Sequence, residues 1–273
     1  MDIGFTVIGQ GTEIEARLYT PSPEQCTSLV AFSQQDTFFA LLMGAIYYQH
    51  DLLVRLEPCC AAALRKECST NAATLALAVY RYLGPAALAS LEGDFALVIW
   101  DAERRSFVAM RDPLGGYPLY WTEYGGMVAL STSLWSLLAL RPQSVLNEEY
   151  FAELIMQPLP RQEGASELCA YVGIQRVLPG SMVTLGIAPI KAESQLYWRW
   201  LAHIHDPGTS DVVALAEQYK PLLAAAIRER LRGRTCSHFS GGMDSTAIAL
   251  MARDELCSGG GKAPLHALSL VYK

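Results

Sequence analysis

Hydrophobic periodicity divides this chain into two regions. Up to about residue 200, short apolar or alternating runs punctuated by glycine and proline predict an α+β domain rich in strands. Phe5–Ile8 and Ile14–Tyr19 flank Gly9-Gln10-Gly11, which predicts a hairpin. Asn71–Leu83 carries Leu75, Leu77, Val79 and Leu83 in a helical run stopped by Gly84-Pro85. Phe95–Asp101 and Ser106–Arg111 are strand-like and joined by Ala102-Glu103-Arg104-Arg105. Tyr117–Trp121 and Met127–Ser131 form a second pair across Gly125-Gly126. A helix is expected over Asn147–Met156. In Gly173–Leu185, Leu178-Pro179-Gly180 predicts a turn between two strands.

The polar segment His203–Ser210, around Pro207-Gly208, marks a domain boundary, with one domain over 1–205 and a second over 206–273. Past it, Asp211–Arg232 is a long helical stretch with apolar residues at Val213, Leu215, Leu222, Leu223, Ile227 and Leu231, which Pro221 is expected to kink or split. A β-leaning run, Thr235–Phe239, leads through a Ser/Gly loop into a helix over Thr246–Arg253. A glycine-rich turn at 258–261 and an apolar strand, Leu265–Tyr272, follow. This is one βαβ unit of a parallel sheet. One such unit cannot bury both sheet faces, so the chain is expected to be a fragment that ends inside a larger α/β domain.

Composition narrows the setting. The chain has 273 residues, 51% hydrophobic and 18% charged, with a net charge of −6. That balance argues against a general nucleic-acid or anionic-membrane surface. The most apolar stretch, Val128–Leu140, is too short to span a bilayer. The start, Met1-Asp2-Ile3-Gly4, lacks the basic residues of a signal peptide. Seven scattered cysteines suit a reduced, cytoplasmic protein. Cys59-Cys60 and Cys68 have no second Cys or His pair at ligand spacing and read as small buried thiols. His203 and His205 lie in the polar connector and read as surface residues.

The most informative segment is Ser240-Gly241-Gly242-Met243-Asp244-Ser245. Between a strand and a helix it forms an anion cradle: glycines admit close backbone approach, successive N–H groups point inward, and the helix dipole favours negative charge. Ser240 and Ser245 add hydroxyl donors, and Asp244 is a hard oxygen ligand of the kind Mg²⁺ takes beside phosphates. The loop has no lysine and lacks the Gly-x-x-x-x-Gly-Lys pattern, so it is not a Walker-type P-loop. It resembles the PP-loop of the ATP pyrophosphatases.

Four pieces in order resemble the asparagine synthetase family: Leu91–Asp101, Arg111–Tyr120, Arg176-Val177-Leu178-Pro179-Gly180 and Ser240–Ser245. The resemblance implies an Ntn-hydrolase-like four-layer αββα sandwich, normally a glutaminase, followed by the start of a Rossmann-like PP-loop domain. In glutamine-using members the nucleophile is a cysteine at position 2; here Asp2 stands there and no cysteine precedes Cys26. The family's substrate-binding Asn-Gly-Glu aligns with Met43-Gly44-Ala45, and its Asp-Gly-Glu with Asn71-Ala72-Ala73. Its Arg-Gly-Pro-Asp segment has no counterpart. A carboxylate cannot replace a thiolate in acyl transfer, so no catalytic residue is assigned to the glutaminase-like domain.

The pattern is similar to the branch that keeps this domain as a scaffold, including β-lactam synthetase and lasso-peptide cyclases. The resemblance then implies ATP and Mg²⁺ as cofactors and a small-molecule or peptide carboxylate as substrate, with peptide-maturation proteins as partners. The carboxylate is adenylated with release of pyrophosphate, and an amine then displaces AMP. Ser240, Gly241, Gly242 and Ser245 are implied to hold the pyrophosphate, Asp244 the metal, and the backbone at His238 and Leu270 the adenosine. The Leu270 side chain itself is expected in the sheet core. An ammonia-using asparagine synthetase and a non-catalytic nucleotide- or partner-binding remnant are the rival readings.

Overall fold

The computed structural model describes residues 3–19, 29–156, 166–233, 235–258 and 265–270. It divides into two compact units, residues 1–200 and 201–273.

The first unit is built on two sheets. In chain order its elements are β1 (Gly4–Gln10), β2 (Glu13–Tyr19), β3 (Val30–Gln35), β4 (Phe38–Tyr47), α1 (Gln49–Leu56), α2 (Ala62–Cys68) and α3 (Ala72–Ala78). A π-helical turn, Val79–Leu83, and a 3₁₀ turn, Pro85–Ser90, lead to β5 (Glu92–Asp101) and β6 (Ser106–Arg111). Then come β7 (Tyr120–Tyr124), β8 (Met127–Ser131), α4 (Leu134–Ala139), α5 (Glu148–Met156), β9 (Ile174–Arg176), β10 (Ser181–Ile187) and β11 (Ile190–Leu196). One sheet runs β2-β1-β8-β7-β9 and the other β11-β10-β6-β5-β4-β3.

Strand β5 shows why the sheets pack as they do. Successive side chains of a strand point to opposite faces. Phe95, Leu97 and Ile99 join Leu52, Leu56, Leu75 and Leu77 in one buried cluster, which places α1 and α3 on that face. Ala96, Val98 and Trp100 join Phe5, Val7, Val128 and Leu130, which come from the other sheet. The six-stranded sheet is therefore apolar on both faces. On the far side of the five-stranded sheet, Ala129 and Ile174 pack with Leu137 of α4.

Burial on both faces also explains what the pattern missed. β4 has no counterpart in the sequence reading, because Phe38–Tyr47 is a near-continuous apolar run whose alternation is erased; β3, a short polar edge strand with Phe32 and Gln34 exposed, has none because it shows too little apolar pattern. β7 starts at Tyr120, three residues later than expected. The Tyr117 carbonyl instead accepts from Arg111 Nε at 2.7 Å, and Pro118 has no N–H to give a ladder. Leu178-Pro179-Gly180 does lie between two strands, but not in a hairpin. β9 pairs with β7 in one sheet and β10 with β6 in the other, so this turn carries the chain between sheets.

Asn71 caps α3: its Oδ1 accepts from the backbone N–H of Ala73 (2.9 Å) and Thr74 (3.2 Å), and its Nδ2 donates to the Phe32 carbonyl at 3.0 Å. The helix so capped is buried along its whole length. Asn71→Ala is expected to cost about 1–2 kcal/mol, measured by chemical denaturation, because it orphans two helix N–H groups.

The second unit contains α6 (Val212–Arg230), β12 (Cys236–His238), α7 (Met243–Ser258) and β13 (His266–Leu268). Asp211 caps α6 through a 3.1 Å bond from the Val213 N–H. Pro221 does not split this helix, which runs unbroken for 19 residues. β12 and β13 pair in parallel, with Cys236, Ser237 and His238 opposite His266, Ala267 and Leu268. α6 and α7 are tied by Arg228, whose Nε and Nη2 donate to the Glu255 carboxylate at 2.9 and 3.1 Å. β13 is shorter than the expected Leu265–Tyr272, of which residues 271–272 lie outside the described residues.

Among the described residues no helix is long and apolar enough to cross a membrane. Cys60 and Cys68 are buried, whereas Cys59 is exposed, contrary to the expectation for the vicinal pair. Burial pushes the Cys60 thiol up and the Cys68 thiol to about 12. Alkylation of the native protein near neutral pH, followed by peptide mass mapping, is expected to modify Cys59, Cys236 and Cys257 and to spare Cys68 and Cys169.

Candidate functional site

The Ser/Gly loop leaves the carboxyl end of β12 and enters α7 at Met243. Ligands of parallel sheets lie at that end of the strands. Gly241 has φ +83°, a conformation that L side chains rarely adopt, and the position a Cβ would occupy is open space. A β-branched side chain here would fill the cradle rather than clash with the protein. The hydroxyls of Ser240 and Ser245 lie 2.8 Å apart, and the Ser240 N–H donates to Ser245 Oγ at 3.2 Å. The Gly242 N–H donates to Ser240 Oγ at 3.4 Å. The loop thus draws two hydroxyls and the N–H groups of Ser240 and Gly242 together, bonded to one another. Asp244 lies in the first turn of α7, exposed to solvent. These are the donors and the hard oxygen that a magnesium-bound polyphosphate requires, and the open space at Gly241 gives it room.

Two residues that the sequence reading did not single out hold this loop. Thr246 donates from Oγ1 (2.7 Å) and from its N–H (3.2 Å) to the Gly242 carbonyl. Ser269 Oγ donates to the Phe239 carbonyl at 2.6 Å, while the Phe239 N–H donates to the Leu268 carbonyl at 2.8 Å, joining the two strand ends. A hydroxyl residue in the first helical turn was the available signal for Thr246; Ser269 gave none. His238 ends β12, exposed, opposite Leu268. Leu270 lies two residues beyond β13 and its side chain is 72% exposed, so it is not in a sheet core. The short strand ends before it, at Leu268. Among the described residues no group of three or more His, Cys, Asp or Glu side chains could hold a metal ion, so a metal here would rest on Asp244 and on the ligand's own oxygens.

In the first unit, the positions corresponding to a glutamine site lie on β4, at α3 and near Asp94. Gly44 has φ +112°, and its N–H donates to the Leu29 carbonyl at 2.7 Å. A Cβ here would collide with the Asp94 carbonyl oxygen and stand 2.6 Å from the Tyr117 ring. Tyr117 therefore covers Gly44. Burial pushes the Tyr117 phenol up, with the Asp94 and Asp112 carboxylates adding to the shift. Tyr47 donates its hydroxyl to Asp94 Oδ2 at 2.7 Å. Asn71, at a position where the family's motif has Asp, spends its side chain on the α3 cap. Asp2 lies outside the described residues.

The Pro113–Pro118 loop beside this region is held by a fully buried Asp112. Its carboxylate accepts the N–H groups of Phe95 (3.0 Å), Leu114 (2.9 Å) and Gly116 (2.8 Å). Burial pushes its carboxyl up and these amides oppose that shift. The sequence Arg111-Asp112-Pro113-Leu114-Gly115 thus encodes a structural anchor.

Residues 29–198, well over half of the chain, match the glutamine amidotransferase domain family, and the chain belongs to it. Its relatives include proteins named asparagine synthetase and proteins named amidase. It is 26% identical over 241 residues to asparagine synthetase [glutamine-hydrolyzing] 3 of Bacillus subtilis (strain 168), covering 87% of this chain and 37% of that protein. It is 27% identical over 233 residues to amidase chyE of Penicillium rubens (strain Wisconsin 54-1255), covering 83% of this chain and 32% of that protein. The chain therefore spans about a third of the length of these relatives. Among solved structures, the glutamine phosphoribosylpyrophosphate amidotransferase from B. subtilis matches with a TM-score of 0.38 and 12% identity, covering 97% of this chain and 59% of that one. A likeness of that degree carries no functional argument.

Proposed function

We propose that this chain is part of an ATP-dependent, AMP-forming amide ligase of the asparagine synthetase type, whose glutaminase-like domain is a silent scaffold. The first unit is read as the αββα sandwich of that domain, and the second as the start of a PP-loop domain. One observation carries the ligase half: the strand–loop–helix at Ser240–Ser245, with its open Gly241 and converging hydroxyl and amide donors. In this reading the loop N–H groups and the Ser240 and Ser245 hydroxyls bind the β- and γ-phosphates of ATP, and Asp244 holds Mg²⁺. The substrate carboxylate attacks the α-phosphorus and the bond to pyrophosphate breaks; a metal held at Asp244 would supply positive charge against the departing pyrophosphate. The loop's fixed donors need no reorganisation as that charge develops. An amine then attacks the activated carboxyl and AMP leaves.

Two features support silence in the glutaminase-like domain. The Gly44 N–H is bonded to the Leu29 carbonyl, and the Tyr117 ring packs against Gly44, within the segment aligned with the family's substrate-binding motif. Ala45 and Ala73 offer no polar atoms from their side chains. An intramolecular amine, as in macrolactam or lasso-peptide cyclisation, would remove the need for ammonia. Relatives named asparagine synthetase favour a second reading, in which free ammonia attacks an activated aspartate. The test is pyrophosphate release from ATP by the full-length protein, with peptide carboxylates in one arm and aspartate plus ammonium in the other. Release in the peptide arm supports the first reading and release in the aspartate arm the second. Release in neither would overturn both.

A further inference from the structure

The first unit holds a cavity of about 330 Å³ at the far end of β4 and β5 from Gly44 and Asp94. Phe38, which opens β4, lies six residues from Gly44, about 20 Å along the strand. The cavity is walled by Phe38, by Tyr80 and Arg81 of the π-helical turn, and by Asp101, Glu103 and Arg104 where β5 turns into β6. Turns of the π type are rare and recur at functional sites. Tyr80 donates its hydroxyl to Asp101 Oδ2 at 2.6 Å, and both residues are more than nine-tenths buried. Burial pushes the Tyr80 phenol up to about 12, with Asp101 adding to the shift. Asp101 Oδ1 accepts the Arg104 N–H at 2.9 Å, and Arg104 Nη1 donates to the Tyr80 hydroxyl at 3.1 Å. The guanidinium is thereby fixed through Nη1, yet the Arg104 side chain is 61% exposed and its fork has donors to spare. Arg81 is committed elsewhere: Nη2 donates to Asp36 at 2.8 Å, and the guanidinium lies 4.8 Å from the centre of the Phe38 ring. Glu103 is exposed on the same wall as Arg104. The Arg104 guanidinium is pushed up first by its bond to Tyr80, with Asp101 and Glu103 adding, so the Glu103 carboxylate is within electrostatic reach of it. The ion pair of Arg104 is with Asp101, at 3.7 Å. One cavity therefore presents a braced guanidinium and, near it, a carboxylate.

We infer that this cavity binds a free α-amino acid, its carboxylate on the guanidinium of Arg104 and its ammonium on the carboxylate of Glu103. The planar fork of arginine matches a carboxylate, and charge-assisted bonds at both ends select a ligand that carries both charges on neighbouring atoms. A simple carboxylate on Arg104 would lie beside Glu103, and a simple amine on Glu103 would lie beside Arg104, each near a like charge. Tyr80 and Asp101 are positioning residues that hold Arg104 from behind. The site is independent of the Ser/Gly loop and of the nucleotide reading.

The experiment is calorimetric titration of each protein amino acid in turn into the full-length protein, with acetate and methylamine as probes of one charge each. The unaltered protein is compared with Glu103→Gln and Arg104→Gln, which remove the two charges separately. Both side chains are exposed, and Glu103→Gln leaves the bonds among Tyr80, Asp101 and Arg104 in place, so it carries the test if Arg104→Gln does not fold. At least one amino acid is expected to bind, and each variant should weaken it about tenfold or more. Acetate and methylamine should bind at least about tenfold more weakly than that amino acid. The proposal is overturned if no amino acid binds, if none loses affinity in every folded variant, or if either single-charge probe binds as tightly.

Discussion

Gly44→Val is expected to abolish folding of the first unit. At φ +112° the backbone is strained for any side chain, and the new Cβ meets the Asp94 carbonyl of the neighbouring central strand. Backbone cannot step aside as a flexible side chain can, and β4 pairs with β5 over nine residue pairs, Phe39–Tyr47 with Glu92–Trp100. Overpacking and left-handed strain together amount to about 3–6 kcal/mol, a large part of a domain's stability. Circular dichroism and the soluble yield of the variant should report loss of cooperative structure. Gly11→Val is the control: its φ is +59°, yet a Cβ there meets nothing within 4 Å. That variant should remain folded, with a cost of about 1–2 kcal/mol.

Glutamine is expected to remain unhydrolysed, at a rate indistinguishable from the uncatalysed one. Loss of a nucleophile in acyl transfer costs on the order of 10⁶ in turnover. Replacement of Asp2 by cysteine should not restore activity. The Gly44 amide is already bonded to Leu29, the Tyr117 ring packs against Gly44, and the Asn71 side chain is committed to α3. Ammonia release is measured in a coupled assay, with and without a thiol reagent. Thiol-sensitive release by the unaltered protein would refute the scaffold reading. Release only by the Asp2→Cys variant would show the clamp to be intact and the silence to rest on one residue.

Legibility in the sequence followed the physical signal available. The hairpin of Phe5–Ile8 with Ile14–Tyr19 could be read from its short apolar and alternating runs on either side of a glycine turn. So could β5 and β6, whose apolar density and short polar joint leave few alternatives. β4 was not legible, because a strand covered on both faces loses its period, and β3, a polar edge strand, carries too little apolar signal to show one. The course of the chain at Leu178-Pro179-Gly180 was hidden too: a turn motif states that direction changes, not which sheet receives the next strand. Pro221 misled because a proline's cost of about 3 kcal/mol can be met by the rest of a 19-residue helix. At the loop, Ser240, Gly241, Gly242 and Ser245 were visible because their chemistry is local. The role of Ser269 depends on a partner reached only after folding, the Phe239 carbonyl, whereas that of Thr246 is local to its helix turn. Leu270 was misplaced because an apolar run continues past the last paired residue of β13.

The most direct measurement is calorimetric titration of ATP into the full-length protein, with and without Mg²⁺, for the unaltered protein, Asp244→Ala and Gly241→Val. Gly241 has open space around it but a φ of +83°, so a valine there meets no clash while straining the loop backbone, and the circular dichroism of that variant is recorded beside its affinity. The account predicts Mg²⁺-dependent binding, weakened about tenfold by Asp244→Ala and about a hundredfold or more by Gly241→Val. Equal affinity in all three proteins, or no binding by the unaltered one, would contradict it.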